Sequence, residues 1–185
     1  MSTIVNAATT FRGSTKRAWV ECEITPGIGI HVIGLPDAAV KEVLLRVATA
    51  MQASGYMIPG KKCVINVRRE RDTNSRVDGN AAGWLDFPMA LAMLIESGQV
   101  VADTDELKSV IFVGELGLDG KVKSVDGGFL HPSDTARAVS WKYRDERAVW
   151  GWDTLGKGGD TWLDLADLKD AVELLEAHSE EGCRI

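Results

Sequence analysis

Cysteine and histidine are both scarce in this 185-residue chain, with three of each. Cys22, Cys63 and Cys183 form no CxxC pair and leave an odd thiol, which argues against a disulfide framework or a zinc knuckle. Two of them are expected to be small core residues. His31, His131 and His178 lie far apart, none with a neighbouring His or Cys at metal-ligand spacing, so no metal site is expected. No uncharged apolar run approaches the roughly 18 residues that would span a bilayer, and the N-terminus lacks a charged-then-apolar signal pattern. A cytoplasmic protein without membrane contact is expected. Positive charge is also short: 21 Lys and Arg stand against 27 Asp and Glu, a net charge of −6. Affinity for nucleic acid comes mainly from neutralising phosphates, so any such contact must be local.

The composition, 45% hydrophobic and 26% charged, is that of an ordinary globular protein. The length suits a single domain over residues 1–185. Thr3 to Gly13 is short, Thr-rich and β-prone. Arg17 to Ile24 alternates, with Val20, Cys22 and Ile24 on one face and Trp19, Glu21 and Glu23 on the other. An antiparallel pair is predicted, turning through Gly13-Ser14-Thr15. A second turn at Pro26-Gly27 and Gly29 precedes a strand from Ile30 to Ile33.

Gly34-Leu35-Pro36-Asp37 then reads as a tight turn into a helix from Ala38 to Ser54, with Asp37 as N-cap. Val40, Leu44, Val47 and Met51 form its apolar stripe, and Gly55 stops it. After Pro59-Gly60, Lys62 to Val67 is a short β-branched strand. Arg68 to Asn80 is polar and aperiodic, predicted as an exposed loop. Phe87 to Ile95 is apolar all round, a buried helix with Asp86 as N-cap, Pro88 in its first turn and Gly98 closing it. Ser109 to Glu115 reads as a central strand, and Leu118 to Val122 as a hairpin through Asp119-Gly120. A short helix between His131 and Ala138, a strand from Arg147 to Trp150 and an amphipathic helix from Asp167 to His178 complete the pattern. Trp150, Trp152 and Trp162 crowd a Gly-rich connection, as core packing or an interface patch. Strands and helices mix without strict βαβ alternation, so the class is α+β, a mixed β-sheet packed with helices.

Few motifs carry chemistry. Gly151 to Lys157 has the G-x-x-x-x-G-K spacing of a phosphate loop, but Gly158 replaces the Ser or Thr that would hold Mg²⁺, so the P-loop is incomplete. No G-x-S-x-G elbow places a nucleophile. Asp86 and Glu115 are better explained as a helix cap and a strand-end residue than as an acid and base pair. The notable basic cluster is Lys61, Lys62, Arg68, Arg69, Arg71 and Arg76. It is either a solvated loop with its acidic neighbours Glu70, Asp72 and Asp78 or a contact for nucleic acid or another partner.

Several stretches together resemble the N-terminal domain of the magnesium-chelatase-like ComM/YifB family, whose fold is shared with the Lon proteolytic domain and with domain 2 of ribosomal protein S5. They are Gly34 to Glu42 with Arg46-Val47, Ser54-Gly55-Tyr56 through Lys62, Ile65-Asn66, Leu85 to Leu91, Ser97-Gly98-Gln99, and Gly114 to Gly120. They run in family order from about residue 20 to 128, while residues 129–185 match weakly.

The resemblance implies a Lon/S5-like fold. Full-length members resemble AAA+ ATPases with a P-loop domain and are linked to DNA processing; the present chain is expected to lack that motor. Counting from Ser97-Gly98 and Gly114-Glu115, the Ser-Lys dyad of Lon falls on Gly83 and near Phe129, so neither catalytic group is present. The family's usual Ala-Pro-Ala-Asp after the fourth strand is replaced by Arg68-Arg69-Glu70-Arg71. The expectation is a non-catalytic binding or assembly module with no cofactor, partnered by an AAA+ ATPase in trans or by nucleic acid, or assembling as a homo-oligomer. The alternative is a diverged Lon-like peptidase or nucleotide-dependent enzyme using groups around Asp86, Glu115 and Lys121, which would then have to cluster in one pocket.

Overall fold

A computed structural model describes residues 2–11, 14–69, 79–103, 107, 111–112, 114–123, 148–149, 164–165 and 167–181. The N-terminal alternation folds as predicted into an antiparallel pair, β1 (Thr3–Phe11) and β2 (Ser14–Thr25), in unbroken register from Thr3 opposite Cys22 to Phe11 opposite Ser14. Ser14 and Thr15 are therefore strand residues, not part of the turn, because Thr10 and Phe11 extend the ladder to meet them. Gly27 and Gly29 take positive φ in the second turn before β3 (Ile30–Ile33).

β3 and β4 (Lys62–Arg69) pair in parallel, β4 pairs antiparallel with β2, and β1 pairs in parallel with β5 (Ile111–Phe112). The resulting mixed sheet has the order β3-β4-β2-β1-β5. The strand predicted to end at Val67 runs on to Arg69, since Arg68 and Arg69 pair with Trp19 and Ala18; the predicted loop loses both residues.

Helix α1 spans Asp37–Ala53. Asp37 is its first residue and not its cap: Pro36 is the N-cap, and its carbonyl accepts from Ala39 and Val40 N–H groups at 2.9 and 3.2 Å. The carboxylate still favours the positive end of the helix dipole. The buried stripe is Val43, Val47, Ala50 and Met51, with Val40 at its edge, so the face lies a fraction of a turn from the predicted one. A 3-10 segment, Gly79–Leu85, leads into α2 (Asp86–Glu96), in which Asp86 to Leu94 are all buried. Leu85 holds the N-cap position there, and Asp86 makes no cap hydrogen bond.

The segment predicted as one central strand is divided. Ile111-Phe112 lies at the end of the sheet beside β1, whereas Glu115–Leu116 (β6) pairs antiparallel with Val122–Lys123 (β7) in the predicted Asp119-Gly120 hairpin. Gly114 sits between them and exchanges backbone hydrogen bonds of 3.3 Å with Trp84 and Phe87. Ala148–Val149 (β8) and Asp164–Leu165 (β9) form a further pair. Helix α3 (Leu168–Glu181) starts at Asp167, whose Oδ1 accepts from the Lys169 and Asp170 N–H groups at 2.8 and 3.1 Å. The His131–Ala138 helix and the Trp150, Trp152 and Trp162 cluster lie outside the described residues.

The core lies between α1, α2 and one face of the sheet. Val5, Ala7, Ala18, Val20, Cys22, Cys63, Ile65 and Val67 meet Val43, Val47, Met51 and the α2 side chains there, and Phe87 packs edge-on to Phe112 at 5.9 Å. The arrangement is α+β, a mixed sheet packed with helices, consistent with a Lon/S5-like fold.

Candidate functional site

The densest charge chemistry in the described residues sits where α1 meets the start of α2. Asp86 is fully buried, and Arg46 reaches it from α1, with Nε donating to Oδ2 at 2.6 Å. Arg46 also pairs with Glu42 one turn earlier. Burial raises the Asp86 carboxyl from its ordinary 3.8 to about 7, against the opposing pull of the Arg46 guanidinium; the Glu115 charge adds to the rise, and the Leu116 N–H helps the anion. Asp86 Oδ1 has no hydrogen-bond partner of full geometry among the described residues. For Arg46, burial works against the charge, but its bonds to Asp86 and Glu42 outweigh it and raise its pKa.

Gly83 borders this cluster. A side chain there would begin 3.4 Å from Arg46 Nη2 and 3.5 Å from Glu115 Oε2. The position expected from the Lon resemblance to carry a nucleophile thus faces a cation and a carboxylate but offers no hydroxyl. Phe129, near which the lysine was expected, lies outside the described residues, as do the Gly151–Lys157 stretch, His131 and Cys183.

Asp86 and Glu115 are therefore brought together, and Asp86 is an ion-pair residue where a helix cap was predicted. A cap needs the residue before the first turn, and Leu85 occupies it. Lys121 does not join them: it is exposed on the hairpin, 3.6 Å from Asp119, whose carboxyl is held below its ordinary range chiefly by the Lys121 N–H. No group of three His, Cys, Asp or Glu suited to a metal occurs among the described residues.

The basic candidates disperse. Lys61 is exposed and Lys62 half-buried at the start of β4. Arg68 is exposed on the sheet face away from the helices, its Nη2 3.6 Å from Glu21 Oε2, whereas Arg69 turns to the opposite face and is buried. Arg71 and Arg76 lie outside the described residues. Register across β2 and β4 sets Trp19 opposite Arg68, and Arg17 lies over the Trp19 ring at 5.4 Å from its centroid. Neither Arg17 nor Trp19 stood out in the sequence, because their neighbour Arg68 is 49 positions from Trp19; only strand pairing joins them.

Residues 20–138 match the family model described as subunit ChlI of Mg-chelatase. Over 120 residues the chain is 35% identical to the uncharacterized protein YifB of Salmonella typhimurium and 34% identical to that of Escherichia coli; each match takes in 64% of this chain and 22% of the relative. It is 32% identical over 99 residues to the competence protein ComM of Haemophilus influenzae, 54% of this chain and 18% of that protein. The chain thus spans about a fifth of the length of the curated relatives it matches.

Proposed function

This chain belongs to the family of the ChlI subunit of Mg-chelatase, with YifB and ComM among its relatives, and from that premise we propose that it is a non-catalytic binding or assembly module serving DNA processing. Residues 1–185 form a single domain in this reading. It works in the cytoplasm with an AAA+ ATPase partner or with nucleic acid, alone or as a homo-oligomer. No described helix is long and apolar enough to cross a membrane. The link to DNA processing rests on the likeness to the competence protein ComM.

The observation that carries the non-catalytic reading is Gly83. By its likeness to Lon this is the position a nucleophilic side chain would take, beside Arg46 and Glu115, and glycine has none. The buried acid of the same cluster, Asp86, is tied to Arg46. Equilibrium binding of labelled DNA by the purified chain tests the binding role, with the salt concentration varied. The expected result is an affinity that falls linearly in log-log form as salt rises. No binding at low salt, together with no ATPase retained from a family-matched extract, would contradict it.

A second reading has one observation in its favour. A buried carboxyl held near 7 beside another carboxylate is the kind of perturbed group that enzymes use as an acid or base. A diverged peptidase or nucleotide-dependent enzyme built on Asp86 and Glu115 is therefore the alternative. Loss of a measured turnover in Glu115→Gln would favour it.

A further inference from the structure

Strand parity separates the two faces of the sheet. Ala18, Val20 and Cys22 of β2 and Cys63, Ile65 and Val67 of β4 point into the core. Arg17, Trp19, Glu21 and Glu23, with Lys62, Val64, Asn66 and Arg68, therefore line the other face. β3 extends it: His31 stands beside Val64 and Ile33 beside Asn66, and both are exposed. On β1 the same face is closed at Ala8 and at Asn6, whose Nδ2 donates to the Leu107 carbonyl at 2.9 Å, while Ile4, opposite Glu21, is exposed. The open part is the β2-β4-β3 surface, whose residues are half-exposed or exposed.

Trp19 lies in this surface between two arginines. Arg17 is anchored over the ring while its Nη2 donates to Asn6 Oδ1 at 3.0 Å, and Arg68 is the direct cross-strand neighbour. An indole with one guanidinium over its ring and a second on the neighbouring strand has the makings of a stacking platform, an unpaired base meeting the Arg17 plane and the ring edge it leaves open, with cations for the flanking phosphates. A duplex hides its base faces and cannot use the ring in this way.

Glu21 lies on the same face, but its charge is already shared among Ser2 Oγ at 3.0 Å, Asn66 Nδ2 at 3.3 Å and Arg68 at 3.6 Å. Arg68 is over half exposed and its contact with Glu21 is long, so a phosphate can take it over. Among the described residues, Arg17, Lys62 and Arg68 are the cations of this face and Glu21 and Glu23 its acids.

We propose that the Trp19 ring, flanked by Arg17 and Arg68 on the open face of β2 and β4, binds a base and adjoining phosphates of single-stranded nucleic acid. This rests on the binding-module reading above and gives it a location and a ligand class.

Fluorescence anisotropy of a labelled 20-mer oligo(dT), and of a duplex of equal length, tests it with the full chain. The single strand should bind more tightly than the duplex. Trp19→Ala should weaken single-strand binding about tenfold or more, and Trp19→Phe should retain most of it. Arg68→Gln should reduce the salt slope by about one. Glu23→Lys, an exposed change with no demand on folding, should tighten binding. Wild-type binding left unchanged by Trp19→Ala and by Glu23→Lys, but lost in Arg71→Ala with Arg76→Ala, overturns the inference and leaves the binding-module reading standing. Preference for the duplex also overturns it. Absence of all oligonucleotide binding in the wild type overturns it as well, and then only a protein partner remains for the binding module.

Discussion

Arg46 and Asp86, forty positions apart, meet at 2.6 Å between the middle of α1 and the first residue of α2. The contact ties the first residue of the buried helix to α1. Burial of the carboxyl, against the pull of Arg46, creates a pH dependence. Folding raises the Asp86 pKa from 3.8 to about 7, so between these values the folded state holds a proton that the unfolded chain releases. The stabilisation from that proton is fully present below about pH 4 and is lost as pH rises through 7, at up to roughly 1.4 kcal/mol per pH unit. Denaturant melts of wild type and Asp86→Asn from pH 4 to 8 should show the wild type losing ground to the variant across this window and levelling above it.

Removing the cation should be worse than removing the acid. In Arg46→Met the buried carboxylate loses its partner, at a cost of about 3–5 kcal/mol when it is ionised. The loss should therefore be larger at pH 8 than at pH 5, where Asp86 is neutral. A double-mutant cycle with Asp86→Asn should recover most of it.

Gly34 and Gly55 both take positive φ, +94° and +86°, but in different surroundings. A Cβ on Gly34 would collide with the Val67 carbonyl oxygen of β4, whereas one on Gly55 would meet nothing within 4 Å. Gly55→Ala should cost only the conformational term, about 1–2 kcal/mol. Gly34→Ala should cost about 4 kcal/mol or more and leave little soluble protein. Thermal melts and soluble yield of the two variants measure the difference.

Cys22 and Cys63 are fully buried on adjacent strands with their sulfurs 3.3 Å apart. The shared hydrogen bond raises the Cys22 pKa, which burial raises further, and lowers that of Cys63. Burial should dominate their reactivity. Alkylation followed by peptide mass mapping should show both thiols protected in the native protein and labelled quickly once it is unfolded.

β2 was legible because alternation needs no partner to be seen: Val20, Cys22 and Ile24 declared their face directly, and β4 showed in its β-branched run. The buried α2 was legible from its all-round apolarity. Asp37 and Asp86 were misplaced by one residue, since an acid at the first helical position and one at the cap look alike without the hydrogen bonds that distinguish them. The apolar run around Ile111 looked like one strand because the break at Gly114 is set by its bonds to Trp84 and Phe87, which lie about thirty residues away in the chain. The same holds for the candidate sites. Arg68 stood out as a charge, but its neighbours Trp19 and Arg17, and the pairing of Arg46 with Asp86, exist only once β2 meets β4 and α1 meets α2.

The central claim is that this domain binds without doing chemistry, and the most direct test is hydrolysis of a fluorogenic peptide substrate by the purified chain, run beside Asp86→Asn and Glu115→Gln. The same background signal is expected from all three proteins. Turnover by the wild type that disappears in either variant would contradict it.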